Sequence, residues 1–350
     1  MKYIINFYTK LSSESKVNAQ GKAREDVTKT LQESNYKEIK VFRTNYQNPF
    51  NKEKNIPIIS GLLEYSQVFF KSISIKGDDV VVFQDYVSPQ QKKFIQLLRK
   101  KGTRVIYIVH DIPSLRFKNE KAEKNDIEIL NLADVLVVHN DAMRKILIKK
   151  GITTTMKCLT LFDYYTNDGI IPESTLINNK NIIAFAGNLS KSEFLYSWLE
   201  FNNLKDIHIR LYGFKPNVDF SKYRNFDYIC AFKPENVSKI TAGWGLVWDG
   251  NSTETCSGAL GEYLRLNTSH KFSLYLVCGM PLIVWTNSSL AQWVIDNNVG
   301  ITIDNLKQIE TTISTISVED YKIMVRNIYH IALNLRKGYY LKLAMNLLND

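Results

Sequence analysis

Twelve short apolar runs, six on each side of one polar break, constrain this chain more than any other feature. The first six are Lys2 to Tyr8, Ile39 to Phe42, Val80 to Gln84, Arg104 to Asp111, Val135 to Asn140 and Leu159 to Phe162. After the break come Ile182 to Gly187, Ile207 to Gly213, Tyr228 to Lys233, Gly245 to Trp248, Pro281 to Trp285 and Gly300 to Ile303. Segments of helical spacing lie between them, among them Asn18 to Ser34, Ile58 to Ser72, Pro89 to Lys101 and Glu120 to Leu132. Strands that alternate with helices predict an α/β fold with parallel, doubly wound sheets. The break itself, 166–180, reads TNDGIIPESTLINNK and has no period; such a stretch is a linker. At 350 residues the chain exceeds what one core usually serves. The expectation is a domain over 1–165, a second over 166–335, and a helical end, 336–350, placed to pack back on the first.

Composition narrows the class. With 45% hydrophobic and 23% charged residues the chain is ordinarily globular. Four widely spaced cysteines, Cys158, Cys230, Cys256 and Cys278, form no CxxC pair, and the chain starts directly on a strand-like YIINFY. These features lead to the expectation of a cytoplasmic protein. No apolar run approaches the ~20 residues that cross a bilayer. The net charge of +10 lies wholly in the first 165 residues, with 28 Lys+Arg against 18 Asp+Glu, whereas the remainder holds 17 of each. Either this is a lysine-rich solvated surface or the two halves meet different partners. Nucleic acid is not expected as a partner, because no C₂H₂ spacing, RNP-like motif or basic repeat accompanies the charge.

The chemistry concentrates in 245–300. An apolar strand ends in Asp249-Gly250, and Lys271 opens the apolar helix Phe272 to Cys278, which runs into the next strand through Gly279-Met280. Strand ends, a helix start and one cation form a pocket for a nucleotide diphosphate. No DxD motif is present, which fits chemistry without a metal, and no GxGxxG follows the first strand, which removes the main support for a dehydrogenase. In the first half the loop Thr9 to Ala19 carries Ser12, Ser13, Ser15, Lys16 and Asn18, and His110-Asp111 ends the fourth strand.

AFAGNLSKS, the Leu211-Tyr212-Gly213 triplet, GLVWDG, HKFSLYLVCGMPLIVW and IVHDIPSLR together resemble the bacterial galactofuranosyltransferase-like group. Within it the chain is most similar to the glucosyltransferases that extend O-linked GlcNAc on serine-rich repeat adhesins of streptococci and lactobacilli. The resemblance covers nearly the whole chain. It implies a GT-B architecture, two Rossmann-like domains facing a central cleft, with a UDP-sugar site in the second and an acceptor site mostly in the first. It also implies homo-oligomerisation, with a tetramer as the form.

Carried onto this sequence, the resemblance implies a donor site of Gly187, Asn188, Lys191, Tyr212, Phe232, Pro234, Asp249, Gly250, His270 and Lys271. Gly187 lets main-chain N–H groups approach phosphate. Lys191 stands where relatives can carry arginine. Tyr212 either touches the donor or is a half-buried aromatic at a strand end. Phe232 and Pro234 open a helix at 234–237 where main-chain groups can read a base edge. Asp249 binds a donor hydroxyl or caps its own loop. Lys271 is either the charge partner of the departing UDP or a surface lysine. Ser15, Lys16 and Asn18 serve donor or acceptor.

An inverting enzyme needs a base, for which Asp111 or His110 is placed; a retaining one does not. Asp111 paired with Arg116 is the alternative, and Asp85 and Asp163 also end strands. No cofactor is expected, since the UDP-sugar is a co-substrate. The leading reading is glucose transfer from UDP-glucose to a GlcNAc-bearing Ser/Thr-rich adhesin polypeptide. The second is galactofuranosyl or other hexosyl transfer to a lipid-linked or free glycan, with peripheral attachment at the inner face of the membrane. The third is a nucleotide-sugar-binding subunit without turnover.

Overall fold

The computed structural model describes residues 1–9, 21–43, 58–84, 89–200, 204–214 and 218–346. The first sheet contains β1 (Lys2–Thr9), β2 (Lys37–Arg43), β3 (Val80–Phe83), β4 (Arg104–Ile108), β5 (Val135–Val138) and β6 (Thr155–Cys158), ordered β2-β1-β3-β4-β5-β6. The second contains β7 (Ile182–Ala186), β8 (His208–Tyr212), β9 (Phe226–Cys230), β10 (Trp244–Val247), β11 (Leu282–Trp285) and β12 (Gly300–Ile303), ordered β12-β11-β10-β7-β8-β9. Every pairing in both sheets is parallel. The expected α/β class is the class observed, and two Rossmann-like units of this kind are the GT-B fold.

The order places one switch point in each sheet, between β1 and β3 in the first and between β7 and β10 in the second. Strand order reverses there, and the crossover connections on either side leave opposite faces of the sheet. A crevice opens at the carboxyl ends of such a pair.

Central parallel strands are covered on both faces, so they read as unbroken apolar runs. All four positions of β10 and of β11 are buried. Trp198, Trp244, Trp248 and Trp285 are all buried in the core of the second unit. A buried indole N–H usually finds a partner: Trp244 and Trp248 donate to the carbonyls of Lys180 and Ser252 at 2.9 and 3.0 Å, whereas Trp198 Nε1 is buried with no hydrogen-bond partner among the described residues. The helix His270–Cys278 lies close on this sheet because Gly245 has no side chain. A Cβ there would meet the Tyr275 ring at 2.1 Å, and the Tyr275 hydroxyl accepts the N–H of Ala186 at 2.8 Å.

One strand differs from expectation. The apolar run Leu159 to Phe162 is not the sixth strand; Thr155–Cys158 is, paired with β5 from Val135↔Thr155. An edge strand has one neighbour and a partly solvated face, so it lacks the apolar run that marks its central neighbours. Leu159, Leu161 and Phe162 are buried just beyond it, and Leu161 joins the core of the second unit.

The chain divides into two compact units. One comprises the described residues of Met1–Ser15, Arg24–Leu159 and Leu341–Asp350, the other those of Lys16–Ala23 and Thr160–Tyr340. The division falls at 159/160 rather than in the polar stretch 166–180, which belongs to the second unit, and each unit includes a short segment from the far end of the other's sequence. Among the described residues, no helix is long and apolar enough to cross a membrane.

Candidate active site

The carboxyl ends of β7 and β10 flank the switch point of the second sheet, and the start of the helix His270–Cys278 meets them. Ser269 caps this helix, its hydroxyl accepting the N–H of Lys271 at 3.5 Å. The helix start therefore brings unsatisfied N–H groups and the positive end of a dipole to the strand ends. Lys271 Nζ lies 2.9 Å from Asp249 Oδ2 and 5.2 Å from the centre of the Phe185 ring. Lys271 retains 16% and Asp249 23% of its side-chain exposure. Both are thus held by the fold and still reachable from solvent. Gly187 completes the group, since a Cβ there would stand 3.3 Å from Cε of Lys271.

Asn188 and Lys191 are exposed on the turn after β7, with Lys191 ending the 3-10 segment Leu189–Lys191. Asn188 Oδ1 accepts from the Ser190 hydroxyl at 2.6 Å. Gly213 follows β8 at φ 143°, and a Cβ would lie 1.9 Å from the carbonyl oxygen of Gly187, so the two strand ends approach more closely than any side chain permits. The Gly250 carbonyl accepts the N–H of Phe194 at 3.2 Å, which pins the loop after β10.

Tyr212 faces inward. It is fully buried, more deeply than the half-buried aromatic that was one of its two expectations, and its hydroxyl accepts the Thr241 N–H at 3.0 Å. Phe232 meets it edge-on at 5.9 Å. The Pro234 carbonyl accepts from the Tyr164 hydroxyl at 2.6 Å, and the turn that follows is the short 3-10 segment Val237–Lys239 rather than a helix from 234.

His270 is half-buried, its ring stacked on Tyr164 at 4.9 Å with an interplanar angle of 24°. Lys22 Nζ sits 4.8 Å from the centre of the Tyr164 ring and donates to the Tyr165 carbonyl at 2.7 Å. Burial first, and the Lys22 charge second, push the His270 imidazole down to about 3, so it is neutral near pH 7. Its Nε2 is buried without a hydrogen-bond partner among the described residues. Tyr164 and Lys22 were not singled out from sequence; FDYY read only as the end of an apolar run.

In the first unit Asp111 Oδ2 pairs with Arg116 at 3.0 Å, the alternative considered for it. His110 Nε2 lies 3.0 Å from Gln84 Oε1. Asp163 is buried and accepts the N–H of Tyr340 at 3.1 Å. Ser12, Ser13, Ser15, Lys16, Asn18 and Asp85 lie outside the described residues.

Two Rossmann-like units, the second holding a lysine at a helix start beside its switch point, define a glycosyltransferase of the GT-B class. The chain belongs to the glucosyltransferase 3-like family, whose N-terminal domain matches residues 1–161 and whose C-terminal domain matches 183–348. The beta-1,6-galactofuranosyltransferase WbbI of Escherichia coli K12 is 30% identical over 301 residues, spanning 82% of this chain and 86% of that one. Glucosyltransferase 3 of Streptococcus gordonii is 26% identical over 279 residues, spanning 77% of this chain and 78% of that one. Among solved structures, HepE of Anabaena in complex with UDP superposes over 100% of this chain and 99% of its own, with TM-score 0.62 and 11% identity. The protein is an enzyme, a glycosyltransferase that uses a nucleotide-sugar donor.

Proposed function

We propose that this enzyme transfers glucose from UDP-glucose to GlcNAc carried on Ser or Thr of a serine-rich repeat adhesin, without a metal ion. The observation that carries the donor half is Lys271, held at the start of a buried helix between the ends of β7 and β10. Bond cleavage at the anomeric carbon leaves negative charge on the diphosphate. A fixed ammonium and a helix N-terminus stabilise that charge as it grows, which is where preorganised electrostatics accelerate a reaction. Asp249, 2.9 Å from Nζ, orients the lysine in the free enzyme and offers its other oxygen to a donor-sugar hydroxyl.

Main-chain N–H groups at Gly187 and Asn188, with Lys191, supply the remaining contacts to the diphosphate, and the turn 231–236 supplies main-chain contacts to the base. HepE, which shares the fold, is a UDP complex, and this supports uridine as the base. The family's glucosyltransferases support glucose as the transferred sugar, and the resemblance of the sequence motifs supports the adhesin acceptor.

A second reading has its own support. The galactofuranosyltransferase is 30% identical against 26% for the streptococcal glucosyltransferase, so transfer of galactofuranose to a lipid-linked or free glycan is the rival. Purified enzyme should be given UDP-glucose or UDP-galactofuranose with a GlcNAc-peptide or a lipid-linked sugar, and products read by mass spectrometry. Glucose on the GlcNAc-peptide is the expected product. Transfer only from UDP-galactofuranose, or only to the lipid-linked sugar, replaces the first reading by the second.

A further inference from the structure

One helix of the first unit, Ile58–Ile73, turns its largest apolar side chains outward. Its buried face, at a spacing of four, is Glu64, Val68 and Ser72, whereas Leu63, Tyr65, Phe69, Phe70 and Ile73 are exposed, Phe70 at 68%. The Phe69 and Phe70 rings meet edge-on at 5.8 Å and form one aromatic knob. A helix that serves only a core buries its apolar stripe and turns its carboxylates to water. Here the one carboxylate, Glu64, is buried instead. Apolar side chains gathered on one exposed face mark an interaction surface.

The next helix, Pro89–Lys100, supplies charge. It carries Lys92, Lys93, Arg99 and Lys100 and no carboxylate, and its buried face is Gln91, Phe94, Ile95 and Leu98. Lys92 is paired with Glu128 at 2.6 Å and Arg99 with Asp134. Lys93 and Lys100, two turns apart on the outward face, are exposed and have no ion pair among the described residues. Lys93, Arg99, Lys100 and Asn131 line an open groove of about 420 Å³ that has no carboxylate in its lining.

Both helices lie on one face of the first sheet. The connections from β2 to β3 and from β3 to β4 run in the same direction across the strand order, and right-handed crossovers in one direction stay on one face. Lys101 ties the helix ends together, its Nζ donating to the carbonyls of Ser72 and Ile75, the latter at 3.2 Å. The apolar and the basic face therefore adjoin within a single unit.

We propose that this surface docks on an anionic lipid bilayer, with Phe69, Phe70 and Ile73 entering the headgroup boundary and Lys93 and Lys100 meeting lipid phosphates. Aromatic side chains beside lysines hold a protein at such a boundary, because buried apolar area and attraction to anionic lipid add. A second copy suits the surface less well: a two-fold interface sets a face against itself, and here that means lysines against lysines. A lipid surface brings the opposite charge. Docking is read without turnover, so it stands apart from the transferase reading.

The full chain should be mixed with vesicles of phosphatidylcholine alone, or of phosphatidylcholine and phosphatidylglycerol in equal parts, and the bound fraction read by sedimentation. Binding to the anionic vesicles, weakened by salt, with little binding to the neutral ones, is the expected result. Phe70→Ser should lower the partition coefficient roughly tenfold, as when one aromatic side chain is no longer buried. Lys93→Gln should lower it roughly fivefold, the share of one lysine at an anionic surface. Both side chains are exposed, so both variants should keep the wild-type melting temperature. Absence of binding to anionic vesicles overturns the proposal, as does equal binding to both kinds or unchanged binding in folded Phe70→Ser or Lys93→Gln. If Phe70→Ser does not fold, the wild-type comparison and Lys93→Gln decide. Sedimentation velocity without lipid covers the rival occupant: an oligomer that dissociates in Phe70→Ser, with no vesicle binding by the wild type, gives the surface to a second copy and overturns docking on lipid.

Discussion

The two switch points are built alike in the main chain and differently in the side chains. In the first sheet side-chain hydrogen bonds run from Asn6 on β1 through Gln84 after β3 to His110 after β4. In the second a lysine faces an aspartate across the strand ends. Hydrogen bonds among buried neutral groups orient a side chain without placing charge on it, whereas an ion pair near solvent keeps a full charge available to a ligand. The first arrangement fixes the orientation of its side chains, the second keeps a charged pair within reach of solvent. One fold thus supports two chemistries through the residues at its strand ends.

The comparison breaks most decisively at Lys271. In Lys271→Ala turnover should fall by roughly 10²-fold or more, the usual loss when a preorganised partner of developing charge is removed, with the melting temperature nearly unchanged. Near-normal turnover in a folded variant returns Lys271 to a purely structural pairing with Asp249.

Acid should reach both units through histidines that fold neutral. Burial pushes His139 down to about 4 and, with Lys22, His270 down to about 3. The unfolded chain binds a proton near pH 6.5 that the folded chain refuses, so their contribution is complete above that pH and is lost as pH falls toward 4. One such histidine accounts for about 2 kcal/mol between pH 7 and 5. Denaturant midpoints at the two pH values measure the loss, and His139→Gln should reduce it; an equal loss in the variant would clear His139 of the effect.

A smaller effect tests the charge asymmetry. The excess of 10 positive charges lies in residues 1–165, and if it steers an extended acceptor, activity on long repeats should drop several-fold as salt rises through the physiological range. Activity on a short neutral GlcNAc-peptide should hardly change. Equal sensitivity of the two would remove the steering role. The smallest expected effect is none at all: UDP affinity, measured by calorimetry, should be the same with and without excess EDTA, because Lys271, Lys191 and main-chain donors neutralise the diphosphate. Collapse of binding on chelation would sink the metal-free reading.

The placement of Asp249 at a strand end and of Lys271 at a helix start was legible because its signals are local. GLVWDG is a buried strand followed by its own carboxylate, and HKFSLYLVC is an apolar helix with a lysine at its start. What remained hidden depends on distance in sequence. Gln84 follows VVVF and read only as the end of a strand, while its partners, Asn6, Arg24 and Thr28, lie 56 to 78 positions earlier. Its one local signal is a polar amide directly after a fully apolar strand that borders a reversal of strand order. Tyr212 was ambiguous because an aromatic at a strand end looks the same whether it turns inward or outward. The strand at Thr155–Cys158 was invisible because an edge strand needs few apolar residues.

The units exchange short segments: residues 21–23, the described part of Lys16–Ala23, group with the second, and those from Leu341 with the first. During synthesis an amino-terminal domain ordinarily closes while the rest of the chain is still being made. Here the first unit is completed only by residues from Leu341 on, with the buried Leu341 and with Lys342 3.6 Å from Glu33, and these follow every strand of the second unit in the chain. A chain that stops before Leu341 therefore lacks a piece of its first unit, although all six strands of that unit have been made.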